Sequence, residues 1–312
     1  MNGLRNRIIK NTTYKWVAIY VQKFLTFINP KIEIYRNYKC HFNHLPNLDE
    51  PHDLIEKIYW MQLHCDTSTW TLYADKYRMR SYCEELGLSE FLPKVYGVWE
   101  SVDDIKWDEL PQRFVMKLNN GCGTVWIVDN KDKYDINGLK SKIQKLIKMP
   151  YGYRGYQPHY LGIKPLVFAE EYLEASEDQK LFSPNSIVDY KVWCFNGHVE
   201  SCLVAYNRTK NGLTLDLYDE EWNRLMKQLQ NFKKDRFNPN VSVPKPKSWD
   251  VMKQIASKLS VGQPQMRVDF YEIDSKPYIG ELTMASGFGY FKESYYQHLG
   301  DLTDVNLLPR KK

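Results

Sequence analysis

Two acidic residues near the C-terminal end of the sequence are spaced to share one ligand. Residues 265–271 alternate apolar and polar side chains, as a half-buried strand does, and residues 277–283 are typical of its antiparallel partner. If residues 274–276 form the loop, Asp269 lies directly opposite Glu281. Like charges in that position repel, so the arrangement is favourable when a divalent cation lies between them. Mg²⁺ takes one or two carboxylates together with phosphate oxygens.

Arg267 shares the face of these two acids, where it could contact a phosphate oxygen or a developing anion. A second interpretation is equally open: a solvent-exposed sheet face on which Arg267 neutralises both carboxylates. The choice depends on register, because a shift of one residue moves a side chain to the opposite face.

A strand lysine precedes a short turn that contains two glycines. Lys117 belongs to the predicted strand 113–118, and residues 119–124 (NNGCGT) follow it. Backbone N–H groups in such a turn can bind phosphate, and the lysine adds a compact charge beside them. The pattern is not a P-loop, because no Gly-Lys-Ser/Thr follows the glycines. An ordinary hairpin turn with an edge lysine is equally compatible with this segment.

The elements that position these residues alternate between helices and strands. The pattern predicts helices at 53–64, 74–86, 136–149 and 250–259, and strands at 91–99, 113–118, 125–128, 166–172, 189–195, 198–206, 265–271 and 277–283. Asn196-Gly197, between two of these strands, is the strongest short-range hairpin signal in the sequence. The second half is therefore expected to be mainly antiparallel.

Composition excludes several classes of protein. With 43% hydrophobic and 26% charged residues, the 312-residue chain is globular and long enough for two domains. Its net charge of +5 favours anionic ligands, and no basic stripe with interleaved aromatics indicates a nucleic-acid partner. Its six cysteines form no C-x-x-C pair, which argues against a zinc ribbon and indicates reduced thiols in the cytoplasm.

The N-terminal residues 1–50 look like a basic, irregular extension. Within it, residues 14–28 are mostly apolar but contain Lys15, Gln22 and Lys23, so the run is too short and too charged to span a bilayer. As a helix it could lie in a membrane interface, peripheral to the inner face of the membrane. The alternative, a helix docked on the protein's own core, is the one we favour from sequence.

The order of these pieces resembles the ATP-grasp superfamily, and in detail the branch associated with teichuronopeptide and surface-polysaccharide biosynthesis. The resemblance covers about residues 53–305, and the stretches that carry it are ADKYRMR, FVMKLNNGCGT, AEEYLE, DYKVWCFNG, MRVDFY and GELT. It implies an α+β ATP-grasp fold, in which two α+β subdomains grip ATP between antiparallel sheets, after an N-terminal helical extension. The implied divisions are 1–72 for the extension and helical region, 73–170 for the N-terminal or lid part with the phosphate loop, and 171–312 for the C-terminal subdomain with the metal site.

The resemblance also implies roles for individual residues. Phosphate-binding roles fall to Lys76, Lys117 and the closing loop with Asn119, Gly121, Gly123 and Thr124. The adenine hinge would comprise Glu170, Glu171, Tyr172 and Leu173, and Asp189 would bind the ribose. The metal ligands would be Asp269 and Glu281, with Thr283 where many members have asparagine, which leaves a second Mg²⁺ open. The catalytic candidates are Arg267, for the acyl phosphate, and Lys191, for phosphate or substrate.

The implied reaction uses ATP and Mg²⁺. A carboxylate attacks the γ-phosphate to give an acyl phosphate and ADP, and an amine then displaces phosphate to form an amide. The positive charge and many tyrosines suit an acidic sugar or glycan-linked carboxylate joined to an amino acid or other amine, and Arg154 and Arg208 are candidates to bind a substrate carboxylate. Two alternatives are a kinase of a sugar or glycan hydroxyl and a non-catalytic nucleotide-binding partner of a polysaccharide assembly complex.

Overall fold

The computed structural model describes residues 12–210, 212–230 and 241–311. The helices are α1 (Thr12–Ile28), α2 (Pro30–Phe42), α3 (Leu54–His64), α4 (Ser68–Ala74), α5 (Met79–Glu85), α6 (Ile136–Leu146), α7 (Pro158–Leu161), α8 (Glu177–Lys180), α9 (Trp249–Ser260) and α10 (Glu293–Asp301). The strands are β1 (Val95–Trp99), β2 (Phe114–Leu118), β3 (Val125–Val128), β4 (Val167–Glu171), β5 (Asp189–Phe195), β6 (His198–Thr209), β7 (Gly212–Asp219), β8 (Met266–Ile273) and β9 (Lys276–Thr283). Short 3-10 segments lie at Ser89–Phe91, Val102–Asp104, Trp107–Glu109, Met226–Gln228 and Val305–Leu307.

The strands form two antiparallel sheets, which confirms the predicted α+β architecture. The first has four strands in the order β1-β4-β2-β3, and the second has five in the order β7-β6-β5-β8-β9. One face of the four-stranded sheet packs on α6 through a separate apolar cluster that includes Met116, Ala169, Leu139 and Ile143. The five-stranded sheet contributes to the main core, together with α3 and α9. The side chains that alternate with these apolar residues therefore lie on the opposite face of each sheet.

The two predicted hairpins of the five-stranded sheet are present. Asn196 and Gly197 connect β5 to β6 with φ values of 47° and 86°, the left-handed conformation at both central positions that a type I′ turn requires. The second hairpin turns through Asp274 and Ser275, with φ values of 49° and 67°. Its loop thus has two residues where we predicted three. Strand β7, which the sequence pattern did not predict, completes the outer edge of this sheet.

The predicted helix 74–86 is wrong at its start, because the chain is broken there into α4 and α5. Asp75 Oδ1 accepts hydrogen bonds from the backbone N–H groups of Tyr77 and Arg78. A side chain that binds these N–H groups offers the backbone an alternative to a continuous helix. The break places Lys76 in a turn, where its backbone N–H donates to the Asn119 carbonyl.

The N-terminal extension is helical in its described part, so our expectation of irregular chain up to residue 50 is corrected by α1 and α2. Residues 1–11 lie outside the described residues. Asn29 accepts from the Lys31 N–H at the start of α2, and Pro30 occupies its first position, a favourable beginning for a helix. Within the described ranges, no helix is long and apolar enough to cross a membrane.

Helix α1 leaves one apolar stripe open to solvent, whereas other apolar residues, such as Ile19 and Leu25, are less exposed, so the expected docking on the protein is partial. Phe24 and Phe27 are 63% and 89% exposed, and Val17, Tyr20, Val21 and Ile28 on the same stripe are also exposed. The opposite side is less exposed and includes Gln22 and Thr26. The helix packs on α2.

Candidate functional site

Three neighbouring strands carry a row of charged side chains across one face of the five-stranded sheet. Lys191 on β5 is in register with Asp269 on β8, which is in register with Glu281 on β9. The predicted opposition of Asp269 and Glu281 is therefore confirmed as a strand pairing. The adjacent row on the same face consists of Trp193, Arg267 and Thr283.

Asp269 lies between two cations. Lys191 Nζ donates to Asp269 Oδ2 at 2.5 Å, and Arg267 Nε donates to Oδ1 at 2.6 Å. Burial alone would raise the pKa of Asp269, but Arg267 and Lys191 outweigh it and leave the pKa below its ordinary value. The residue is therefore an ionised carboxylate at neutral pH.

Arg267 is fixed from several sides. Its Nη2 atom donates to Asp269 Oδ2 at 2.9 Å and to Thr283 Oγ1 at 3.0 Å, and its guanidinium lies 5.4 Å from the centre of the Trp193 ring. The Thr283 hydroxyl thus orients Arg267 in this structure, and its role as a metal ligand stays a prediction. Such a fixed guanidinium is suited to stabilising negative charge without reorganising.

Asp189 has one satisfied and one unsatisfied oxygen. Oδ2 lies 2.7 Å from Lys191 Nζ, whereas Oδ1 is buried without a hydrogen-bond partner. Burial raises the pKa of Asp189, with Lys191 acting in the opposite direction. Buried carboxylate oxygens are normally hydrogen-bonded. Asp189 thus has an acceptor that the protein itself does not use, and its role at a ribose stays a prediction.

The four-stranded sheet contributes a lysine and an acid of its own. Lys117 on β2 forms an ion pair with Glu170 on β4, and both side chains are largely buried. The chain then leaves this sheet through the predicted hinge, where the Tyr172 ring lies 4.1 Å from the Arg113 guanidinium and Glu171 accepts from the Lys94 N–H. Leu173 follows them and is half-buried.

Lys76 connects the phosphate-loop candidate to the charged row. Its Nζ donates to the Gly121 carbonyl at 2.6 Å and lies 3.2 Å from Glu281 Oε1. Gly121 and Gly123 adopt φ values of 79° and 75°, which side chains disfavour, and a Cβ at Gly121 would lie 2.9 Å from the Tyr151 ring. Thr124 closes the turn through its carbonyl, which accepts from the Leu118 N–H.

Asn119 occupies a different place from the one we predicted for a phosphate ligand. Its side-chain nitrogen donates to Asp75 Oδ2 and to the Lys164 carbonyl, and its oxygen accepts from the Leu166 N–H. Its backbone N–H also bonds, to the Leu166 carbonyl. Because all these groups are engaged within the protein, Asn119 holds the base of the loop and the turn that carries Lys76.

The charges of this site balance one another. The four cations are Lys76, Lys117, Lys191 and Arg267, and the four acids paired with them are Glu170, Asp189, Asp269 and Glu281. Arg267 binds Asp269 but Lys76 pairs with Glu281, so the solvent-exposed interpretation with one arginine neutralising both acids does not describe this face. Five of these eight side chains are buried, and those of Asp189, Lys191 and Glu281 are partly exposed.

The donor set fits a magnesium ion shared with phosphates. Asp269 and Glu281 supply two carboxylates from adjacent strands, and Mg²⁺ usually takes no more than two from a protein when phosphates supply further oxygens. In the described part of the chain, no group of three or more His, Cys, Asp or Glu side chains could hold a metal without such help. These residues therefore suit a metal that arrives with a nucleotide.

The two substrate arginines occupy different places. Arg154 is exposed and lines a cavity beside Tyr151, the residue that packs against Gly121. Arg208 is exposed near the end of β6, where its backbone N–H donates to the Ser186 hydroxyl, and it is not part of the charged rows. Sequence patterns gave no role to Asp75 or Tyr151, whose contacts with Asn119 and Gly121 join residues distant in the chain.

Comparison with known proteins gives one family and several solved structures. A family described as TupA-like ATPgrasp matches residues 56–304. No curated protein sequence matches the chain. D-alanine–D-alanine ligase from Bacillus anthracis complexed with ATP is 14% identical, with a TM-score of 0.46, over 77% of this chain and 67% of that one. L-amino acid ligase from Bacillus licheniformis is 14% identical, with a TM-score of 0.44, over 79% and 52%.

A third similar structure is the ATP-grasp ligase PsnB complexed with minimal precursor, Mg and ADP. It is 11% identical, with a TM-score of 0.41, over 77% of this chain and 61% of that one. The chain thus spans between 52% and 67% of the length of these three proteins.

Proposed function

Because the chain belongs to the TupA-like ATP-grasp family, we propose that it is an ATP-dependent carboxylate–amine ligase that forms an amide through an acyl phosphate. The observation that carries the proposal is the in-register row of Lys191, Asp269 and Glu281, with Lys76 bonded to its end. A buried set of lysines and carboxylates suits a triphosphate and its metal, since phosphoryl transfer depends mainly on positioning and charge neutralisation.

Each side chain has a defined task in this proposal. Asp269 and Glu281 would hold Mg²⁺, which when bound neutralises phosphate charge. Lys76 and Lys117 bind phosphate oxygens, and Arg267 stabilises the negative charge on the transferred phosphoryl group and on the acyl phosphate. The amine then attacks the acyl carbon, phosphate leaves, and the amine loses a proton.

The loop 119–124 serves to exclude water. An acyl phosphate hydrolyses when solvent reaches it, so a ligase benefits from a loop that closes over the site. Gly121 and Gly123 supply positive φ values that allow the backbone N–H groups to turn toward a phosphate. Tyr151 limits the position of the loop from one side.

We further propose an acidic sugar or glycan-linked carboxylate as the acid substrate and an amino acid or other amine as the acceptor, in surface polysaccharide biosynthesis such as capsule assembly. Support comes from the family match, the net charge of +5 and the exposed Arg154 at a tyrosine-lined cavity. Asp189 would bind ribose, Glu170 to Leu173 adenine, and Arg208 remains a candidate contact to a longer substrate.

The test is incubation of the full chain with ATP, Mg²⁺ and a panel of uronic acids and amino acids. We expect ADP release that requires both an acid and an amine, with an amide product in the mass spectrum. A phosphorylated sugar formed without an amine would instead establish the kinase. If the protein binds no nucleotide in a calorimetric titration, both enzyme proposals are wrong and the non-catalytic alternative remains.

We also propose that α1 contacts an anionic membrane surface from the cytoplasmic side. The first 32 residues contain six basic residues and no acidic one; the basic residues are Arg5, Arg7, Lys10, Lys15, Lys23 and Lys31. The exposed apolar stripe of α1 supplies the second component of interfacial binding, because apolar burial and attraction to anionic lipid act together.

Glutamates at the stripe should abolish this contact. We expect the full chain to sediment with vesicles rich in phosphatidylglycerol and not with pure phosphatidylcholine, and Phe24→Glu/Phe27→Glu to stay in the supernatant. The matched control is Leu181→Glu/Val261→Glu, which places the same charges at residues that are also well exposed (86% and 63%) but lie away from α1. Equal loss of sedimentation in both variants would refute a role for α1.

A further inference from the structure

A cavity of about 210 Å³ lies between α2, α3, the loop 151–157 and the segment 285–288 that follows β9. It is somewhat larger than the roughly 150 Å³ cavity known to hold one benzene molecule. The space therefore suits one sugar-sized ring. Tyr59 on α3 and Phe288 contribute aromatic walls.

Two polar side chains of this cavity have no partner inside the protein. Gln62 on α3 is 0% exposed, and neither its amide nitrogen nor its amide oxygen is hydrogen-bonded. The Ser286 hydroxyl on the opposite wall is also buried and unpartnered. Buried amides are rarely left in this state, because the lost hydrogen bonds to water are not replaced. A ligand group that both donates and accepts hydrogen bonds would satisfy both side chains.

The charges of the lining residues further restrict the kind of ligand that the cavity can bind. No Asp or Glu is among the described residues that line the cavity, so the lining offers no carboxylate to pair with an ammonium group. The charged lining side chain is Arg154, which is exposed and therefore lies at the mouth. A ligand with hydroxyls inside and a carboxylate outside satisfies both sets of groups.

The cavity is joined to the charged rows by two short connections. Tyr151 lines the cavity and packs against Gly121, whose carbonyl accepts from Lys76. Ala285 and Ser286 come two and three residues after Thr283, the neighbour of Arg267. The lining of the cavity is therefore continuous with both the phosphate loop and the end of β9.

We infer that this cavity binds the acid substrate, a monosaccharide-sized polyhydroxy carboxylate. Gln62 is then a specificity-determining residue that forms hydrogen bonds with the hydroxyls of this substrate. The inference rests on the proposed ligase function for its role in the reaction, but binding itself needs no nucleotide. An amino acid is the less favourable occupant because its ammonium group would lack a carboxylate partner.

The test is calorimetric titration of the full chain, without ATP, using glucuronate, galacturonate, glucose and glutarate. We expect a uronate to bind more tightly than glucose, which has no carboxylate, and than glutarate, which has no hydroxyls. Gln62→Leu should weaken uronate binding about 10-fold, as loss of a hydrogen-bonded pair predicts. Its Tm should not fall, because leucine removes an unsatisfied amide at similar volume.

Gln263→Leu is the matched control, since Gln263 is also buried with an unpartnered amide oxygen but does not line the cavity. It should leave uronate binding unchanged. Absence of uronate binding, tighter binding of an amino acid, or equal affinity in Gln62→Leu and the parent would overturn the inference. Uronate binding that is lost in Gln62→Leu, in a protein that never releases ADP, would instead count against the ligase alone.

Discussion

Asp269→Asn is expected to lower ATP turnover by at least about 100-fold, the scale found when one preorganised electrostatic group is removed from a reacting centre. Asparagine keeps the shape of the side chain but removes one of the two charges proposed to hold Mg²⁺. It also leaves Arg267 and Lys191 without their shared carboxylate. The remaining activity should need a higher Mg²⁺ concentration, which a titration of ADP release against Mg²⁺ would measure.

The loss of a buried ion pair also affects stability, so this experiment needs a control for folding. Removing one member of a buried pair typically costs about 3–5 kcal/mol. Asp216→Asn breaks a comparable pair, in which Asp216 Oδ1 on β7 of the same sheet lies 2.6 Å from Arg224 Nη2, outside the charged rows. Both variants should have lower Tm values, but Asp216→Asn should keep its turnover. Equal turnover losses in the two variants would remove the argument for a metal at Asp269.

Lys76→Met should decrease kcat/KM for ATP by about 100- to 1,000-fold. The substitution keeps the length and apolar stem of the side chain but removes the cation that joins the Gly121 carbonyl to Glu281. Both a phosphate contact and the position of the loop should be lost, so we expect a higher KM for ATP together with a lower kcat. Steady-state ADP release over a range of ATP concentrations separates these two effects.

Lys164→Met is the matched control for this variant. Lys164 also forms an ion pair, with Glu100, but both side chains are well exposed, and such pairs contribute about 0–1 kcal/mol at most. Its kinetic constants should remain within about twofold of the parent. A Lys76→Met protein with normal kinetics would show that the turn between α4 and α5 is not part of the ATP site.

The register of the β8–β9 hairpin was predicted correctly at the acidic residues but not at the turn. We predicted a three-residue loop, which places Asp269 opposite Glu281. The turn has two residues, so Ile273 pairs with Lys276 and Phe270 with Ile279, and a bulge at Gly280 then restores the predicted pairing. The prediction was right in its outcome, although it assigned the extra residue to the loop. A bulge depends on local packing, here Tyr271 against Gly280, which alternation of residue types does not reveal.

Strands with clear alternation and flanking turn residues were predictable, and β3 was predicted with its observed bounds, Val125–Val128. The errors fall where side-chain hydrogen bonds or nonlocal packing decide the structure. Asp75 breaks a helix that the apolar pattern would continue, and α2 was hidden by its mixed composition. The exposed stripe of α1 could not be predicted, because the sequence of one helix does not show which of its faces the neighbouring elements will cover.

The features of the candidate site likewise fall into two groups, those that the sequence could predict and those that it could not. Charged residues at alternate strand positions, such as Lys191 and Asp269, could be placed on one face from the sequence. The contacts that join Lys76 to Glu281 and Tyr151 to Gly121 connect residues far apart in the chain, and no local pattern encodes them. The cavity at Gln62 belongs to this second class, because four separate segments must assemble before it exists.

The balance of four cations and four acids has a consequence for the catalytic cycle. A triphosphate that enters must exchange partners with Glu170 and Glu281, since Lys117 and Lys76 are already neutralised. Part of the attraction between the lysines and the phosphates is therefore offset by the loss of these ion pairs, and we expect the protein to bind the nucleotide with moderate affinity. In the proposed reaction, the same contacts could close again when the products leave, so we expect the ion pairs of the protein to favour release of ADP.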